Sequence, residues 1–325
     1  MIKQITQENF DDLNEIIADF DHFLQEKYNQ PTSQLGEQLQ DALANNTREI
    51  LAIYNQQGKH ITGIAVVNPS QGRITRFFVP NAYDIQHEGD SETQNVEKTL
   101  FDAAFASLRD KSSAISIGRE FSNNLVKYMV NEVGFKQFER AQMTIEKETV
   151  RALAEPDLRS EYTFSSWATE MRPSIIELLH QSHYNSEMSI DASIFPQFIG
   201  IEGTTRLIGE LEDNYYGQFK NQLTRVLKHN NEYIGVCFLT VIRQMVGYIP
   251  EISLLPAYRG KGLGKALLVH SLKQFFMQEP KIKNIDLMVT LSNSTAKALY
   301  DAVGFQDKRA FSEYIWNKKN SRLET

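Results

Sequence analysis

The sequence predicts an α/β fold: mixed β-sheets flanked by helices, arranged as two tandem domains. Two observations carry this. Strand-like and helix-like patterns alternate along the 325 residues, which favours a mixed sheet over an all-helical or all-β architecture. The chain also repeats itself at close to half its length.

The elements of the second half can be read in order. Residues 233–242 form an apolar run of strand length, and residues 249–255 form another. Residues 264–278 read as a helix, with Leu268, Leu272, Phe275 and Phe276 at three-to-four spacing. Ile285, Leu287 and Val289 alternate as a strand does. A short helix follows, opened by the Ser292, Asn293, Ser294 cluster and closed by Gly304.

The repeat is specific. NNLVKYMVNEVGF, ending at Phe135, returns as STAKALYDAVGF, ending at Phe305, 170 residues later. Asn123 then matches Asn293, Lys127 matches Lys297, and Val133-Gly134-Phe135 matches Val303-Gly304-Phe305. Upstream, HITGIAVV around Gly63 resembles EYIGVCFL around Gly235, and VPNAY echoes LPAY. Both copies run on into an amphipathic strand, AQMTIEK and SEYIWNK. The polar segment between Ile145 and Tyr162 is the expected boundary, giving domains 1–150 and 160–325.

Bulk composition narrows the function classes. Net charge is −7 and no long Lys/Arg run occurs, so nucleic acid is not an expected partner. The acidic balance favours a cationic small molecule or peptide amine. The single cysteine, Cys237, excludes an internal disulfide and a cysteine metal cluster, and no metal is expected. It lies in an apolar run, where a buried strand residue is a better reading than a nucleophile. The N-terminus lacks an apolar signal core and no segment has the length of a membrane span, so a cytoplasmic location without membrane contact is expected.

The sharpest motif is EISLLPAYRGKGLGKALL, Glu251 to Leu268. A strand runs into a turn with glycines at 260, 262 and 264, and the turn opens a helix. Glycines at alternate positions expose backbone N–H groups and permit close approach by a ligand. The helix N-terminus adds partial positive charge, and Arg259, Lys261 and Lys265 add full charges, which suits a pyrophosphate. The spacing is neither the G-x-G-x-x-G of dinucleotide sites nor a P-loop ending in G-K-S/T.

Arg259-Gly260-Lys261-Gly262-Leu263-Gly264 resembles the R/Q-x-x-G-x-G/A signature of the GNAT acyltransferases. Asn293, Ala296, Leu299, Tyr300, Gly304 and Phe305 resemble their second signature, N-x-x-A-x-x-L-Y-x-x-x-G-F. The resemblance covers residues 160–320 well and residues 1–147 as a degraded copy. It implies a sheet that splays open with coenzyme A in the gap. The backbone of Ile252, Ser253 and Leu254 would pair with the pantetheine arm. The N–H groups from Arg259 through Gly260, Lys261, Gly262, Leu263 and Gly264 to Lys265 would take the pyrophosphate. Asn293 would hold the cofactor arm, and Tyr300 would protonate the departing thiolate.

The implied reaction is direct attack of a primary amine on the thioester of acetyl-CoA. It needs a proton acceptor for the amine, a polarised carbonyl and a proton donor for sulfur. Glu251, on the strand bordering the cofactor, is the candidate base. Many relatives carry a Glu three residues earlier, where this chain has Tyr248, so that assignment does not transfer. His183 is a second candidate. The acceptor region, residues 182–217, holds His183, Glu187, Asp191, Phe195, Phe198, Tyr215 and Tyr216, a mix suited to a cationic, partly apolar amine.

The first repeat has lost this chemistry. Where the glycine loop should be, it reads DIQHEGDSETQN, with one glycine, Gly89, and acids at Asp84, Glu88, Asp90 and Glu92. Those carboxylates would repel a pyrophosphate, and Val130 stands at the place of Tyr300. The first domain is therefore expected to bind no CoA. The expected activity is acetylation of a small-molecule primary amine. The alternatives are a protein N-terminus or lysine as acceptor, or a CoA-sensing module without turnover. Oligomeric state is not readable.

Overall fold

The computed structural model describes residues 1–28, 35–55, 57–80, 82, 91–118, 121–184, 200–242 and 245–318. The first half runs β1 (Ile2–Ile5), α1 (Asn14–Tyr28), α2 (Leu35–Ala44), β2 (Glu49–Tyr54), β3 (Ile61–Asn68) and β4 (Arg73–Phe78), then α3 (Ser91–Arg109), β5 (Ala114–Gly118), α4 (Asn123–Tyr128) and β6 (Lys136–Glu146). The second runs α5 (Lys147–Ala152), β7 (Tyr162–Ser166), α6 (Arg172–Tyr184), α7 (Gly200–Glu212), β8 (Gln218–Phe219), β9 (Arg225–His229) and β10 (Glu232–Ile242). It continues through β11 (Val246–Leu254), α8 (Leu263–Gln278), β12 (Asn284–Thr290), α9 (Ser294–Val303) and β13 (Gln306–Asn317). Every element read from the second half forms, with ends moved by at most a few residues. Asn293 caps α9, and Gly304 closes it at φ 107°.

Two compact units result: Met1–Gln137 with Ser312–Thr325, and Phe138–Phe311. These differ from the contiguous ranges 1–150 and 160–325. The strand that follows Gly134-Phe135 leaves the first unit, and the strand that follows Gly304-Phe305 leaves the second. The first unit's sheet runs β1-β2-β3-β4-β5-β13, with β13 antiparallel on β5 from Glu313↔Gly118 to Asn317↔Ala114. The second unit's sheet runs β6-β12-β11-β10-β9-β7, with β6 antiparallel on β12 from Glu146↔Asn284 to Arg140↔Thr290. The alternation that made AQMTIEK and SEYIWNK legible as strands says nothing about which sheet each one joins.

Each sheet has one parallel pair, and a helix makes the crossover each requires: α3 between β4 and β5, α8 between β11 and β12. The repeated glycines explain themselves here. A Cβ on Gly63 would lie 2.9 Å from Val79 and 3.2 Å from Leu100 on α3. A Cβ on Gly235 would lie 2.9 Å from Leu254 and 3.1 Å from Leu267 on α8. In both units the crossover helix presses on the sheet where only glycine leaves room. No described helix is long and apolar enough to cross a membrane.

Among its described residues the first unit buries two carboxyl groups: Glu313, which pairs with Arg73, and Glu97. Glu97, on α3, is 1 % exposed; Ser122 Oγ donates to Oε2, and Oε1 has no hydrogen-bond partner among the described residues. Burial pushes its pKa up to about 6 from 4.5, against the lowering effect of Ser122. A raised folded-state value means stability is full below pH 4.5 and falls as pH rises through 6, by on the order of 2 kcal/mol in total. Glu97→Gln should flatten that slope, so thermal melts of the two proteins from pH 4.5 to 7.5 should diverge in slope; parallel curves would count against it. The strand assignment makes a second prediction. Residues 1–150 expressed alone lack β13 and leave Ile115 and Ile117 on an uncovered edge, so they should show no cooperative melt. A cooperative transition like that of the full chain would refute this.

Candidate active site

The site begins with a fork in the second unit's sheet. β11 pairs in parallel with β12 only from Val246↔Asn284 to Ile249↔Leu287. Beyond Ile249 its pairing with β10 continues to Leu254↔Gly235. Pro250 sits at the divergence, where a residue without an N–H belongs. The β10–β11 register also shifts here: Ile249 and Pro250 stand against Leu239 alone, a bulge. On a regular strand, residues three apart point to opposite faces. The bulge instead gives Tyr248 and Glu251 the cross-strand partners Thr240 and Phe238, which share a face. Ser253 falls on that same face, while Leu254 packs towards α8.

The shared face meets α6, whose last turn carries His183. His183 Nε2 lies 3.2 Å from Glu251 Oε1 and 3.0 Å from Ser253 Oγ. Ser253 Oγ donates to Glu251 Oε1 at 2.6 Å. With the serine proton committed to Glu251, Nε2 is assigned as the protonated ring nitrogen, donating to both oxygens. The side chains of His183 and Glu251 are only 12 % and 8 % exposed. The structure thus brings both sequence candidates for proton transfer into one network with Ser253. The sequence reading had picked Ser253 for its backbone alone. The Glu251-x-Ser253 spacing on a strand was the signal for its side chain.

After β11 the chain makes a short turn at Pro256–Tyr258 and enters the glycine loop. Gly260 and Gly262 have φ of 73° and 79°, and a Cβ on either would meet nothing within 4 Å among the described residues. Their backbone conformation, and not crowding, demands glycine, and the space beside them is open. Gly262 is the N-cap of α8 and supplies no capping side chain, so the first N–H groups of α8 have no acceptor within the helix. This is a cradle that fits a pyrophosphate.

Two charged groups behave differently from the sequence expectation. Arg259 donates through Nε to the Leu254 carbonyl at 3.0 Å and through Nη2 to the Ser182 carbonyl at 2.8 Å. Its backbone N–H is bonded to the Pro256 carbonyl, so the cradle of N–H groups starts at Gly260. Lys261 turns back to the Ala257 carbonyl at 2.9 Å. Arg259 therefore ties the end of α6, where His183 sits, to the end of β11.

Asn293 accepts from the Ala296 N–H at 3.2 Å as the cap of α9. Tyr300 is 8 % exposed and meets Phe305 edge to face at 5.7 Å, within the core that includes Leu263, Leu267 and Leu268 of α8. Cys237 is fully buried, and burial pushes its thiol up to about 12, which suits a packed strand residue and not a nucleophile. Glu187, Asp191, Phe195 and Phe198 lie outside the described residues.

The first unit forks too, with parallel pairing only at Arg73↔Ser116 and Ile74↔Ile117. Beyond it, Phe77 of β4 meets Phe121 edge to face at 5.7 Å, and Phe121 meets Tyr314 likewise at 5.7 Å. Val130 packs against the core of this unit. Asp84, Glu88, Gly89 and Asp90 lie outside the described residues, and Glu92 is in the first turn of α3.

The sequence pattern of the Acetyltransferase (GNAT) family matches residues 192–305. The ribosomal protein bS18-alanine N-acetyltransferase of Haemophilus influenzae is 32 % identical over 123 residues, 36 % of this chain and 79 % of that protein. The chain belongs to the GNAT acetyltransferase family. Solved structures extend the likeness in fold to almost the whole chain. An N-acetyltransferase from Sphaerobacter thermophilus aligns over 98 % of this chain and 95 % of its own, with a TM-score of 0.64 and 13 % identity. A tandem GNAT protein from the clavulanic acid biosynthesis pathway covers 98 % of both chains, with a TM-score of 0.61 and 10 % identity. This GNAT chain is thus an acetyl-transferring enzyme with a mixed α/β fold.

The cradle makes a direct prediction. Gly262→Asp places a carboxylate against the N–H groups and forces a side chain to positive φ, straining the loop by about 1–2 kcal/mol. Calorimetry should show one acetyl-CoA per wild-type chain and none for the variant at concentrations saturating wild type. Unchanged affinity, or two equivalent sites in wild type, would contradict the placement.

Proposed function

We propose that this GNAT enzyme transfers the acetyl group of acetyl-CoA to a primary amine of a small molecule. The observation that carries the reading is the juxtaposition of the Glu251, Ser253 and His183 network with the fork after Ile249. Acetyl-CoA supplies the activated thioester. The backbone of Ile252, Ser253 and Leu254 and the N–H groups from Gly260 to Lys265 hold its arm and pyrophosphate, with Asn293 beside them. Glu251, backed by Ser253 and His183, accepts the amine proton, and Tyr300 returns a proton to sulfur.

The domain roles follow. The second unit, Phe138–Phe311, holds the cofactor, and the first unit binds none and serves as a structural or substrate-shaping partner. Aromatic rings beyond the first fork and the acidic replacement of its glycine loop support this. A second reading, a protein N-terminal α-amine as acceptor, is favoured by the printed specificity of the Haemophilus influenzae relative. Thiol release measured against a panel of small amines and N-terminal alanine peptides separates the two.

Tyr300→Phe keeps the packing against Phe305 and removes only the hydroxyl. Turnover should fall by roughly 10- to 10⁴-fold, with cofactor affinity nearly unchanged. A change within twofold would make Tyr300 a packing residue. For Glu251→Gln, the rising acidic limb of the wild-type pH–rate profile should vanish; a limb that persists would place the base elsewhere.

A further inference from the structure

The face of β11 that carries Glu251 holds a second feature that the transfer chemistry leaves unused. Tyr248 lies three residues back on that face, opposite Thr240. Thr240 Oγ1 donates to the Tyr216 carbonyl at 2.6 Å, which pins the segment after α7 beside Tyr248. Gly217 makes this approach possible: its φ is 100°, and a Cβ there would lie 2.7 Å from the Val241 carbonyl oxygen. The rings of Tyr215 and Tyr216 meet at 4.9 Å and 87°. Tyr216 donates its hydroxyl to Glu210 Oε2 at 2.8 Å. Burial first, and then the Glu210 carboxylate, push the Tyr216 phenol far up, with Tyr215 and Tyr248 adding to the effect. The phenol therefore stays protonated and Glu210 keeps its donor.

We propose that Glu210, Tyr215, Tyr216 and Tyr248 form a cation subsite that selects acceptors bearing a second, unreacting ammonium group, an aliphatic diamine or polyamine. The proposal rests on the acetyl-transfer reading above. A carboxylate only 16 % exposed, which accepts from Tyr216 with the Tyr215 ring against that tyrosine, attracts a cation and repels an anion. Arg206 Nε reaches Oε1 at only 4.0 Å and Arg206 is 41 % exposed, a pair with which an incoming ammonium group can compete. At roughly 3.3 Å of rise per residue, less the bulge, Tyr248 and Glu251 stand about 7–10 Å apart. A chain of roughly four to six carbons spans that distance. One ammonium would sit among the tyrosines while the other end presents its amine at Glu251.

The test uses the full chain with acetyl-CoA and compares kcat/KM for 1,5-diaminopentane and n-pentylamine. The diamine should be favoured by about tenfold or more. Glu210→Gln and Tyr215→Ala should each bring that ratio towards one, chiefly through KM for the diamine. Tyr215 is 40 % exposed, so its replacement tests the subsite without endangering the fold. A ratio near one in wild type, or a ratio retained in both variants, overturns the proposal. If no amine or peptide releases thiol, the acetyl-transfer reading itself fails. Calorimetric titration of the diamine into the CoA-loaded chain then decides the subsite: binding weakened by Glu210→Gln supports it, and no binding overturns it.

Discussion

The candidate site depends on one interruption of backbone pairing. Parallel strands hold together through evenly spaced ladder bonds, and the β11–β12 ladder stops at Ile249, just before a proline that has no N–H to donate. From that point β11 keeps one neighbour and diverges from the other. The same dipeptide forms the bulge that rotates Glu251 onto the face of Tyr248. The edge, the carboxylate and the approach to the glycine loop are all consequences of about two residues of irregular strand.

The surrounding structure holds that irregularity in place. α6 delivers His183 to Glu251 and Ser253, and Arg259 bonds the Leu254 and Ser182 carbonyls, at the ends of β11 and α6. A side chain expected to meet a phosphate is thereby a strut between the strand that carries Glu251 and Ser253 and the helix that carries His183. The glycine loop is free to present N–H groups because Gly262 caps α8 without a side chain. The cradle is built from backbone, which leaves the cationic side chains for other tasks.

The two repeats show which parts of the fold are separable from its chemistry. Both keep a glycine under the crossover helix, both fork after a short parallel pair, and both close a helix before the Gly-Phe pair. Close packing imposes these features, since a Cβ at Gly63 or Gly235 has no room. Beyond the first fork stand Phe77 and Phe121, and the first unit buries the carboxyl of Glu97.

The sequence by itself determined the local elements, the internal repeat and the glycine loop, because each is written in short-range terms. Apolar periodicity made the strands and helices, the caps Asn293 and Gly304 bounded α9, and alternating glycines carried the left-handed turns. Tertiary structure alone decided three things. It sent β6 and β13 each to the unit of the other repeat, because an amphipathic strand pattern specifies a face and not a partner. It placed Tyr248 and Glu251 on one face through a bulge that no alternation pattern announces. And it turned Arg259 onto two carbonyls and joined His183 to Ser253, contacts between residues about 70 or more positions apart that arise only once the helix packs on the sheet.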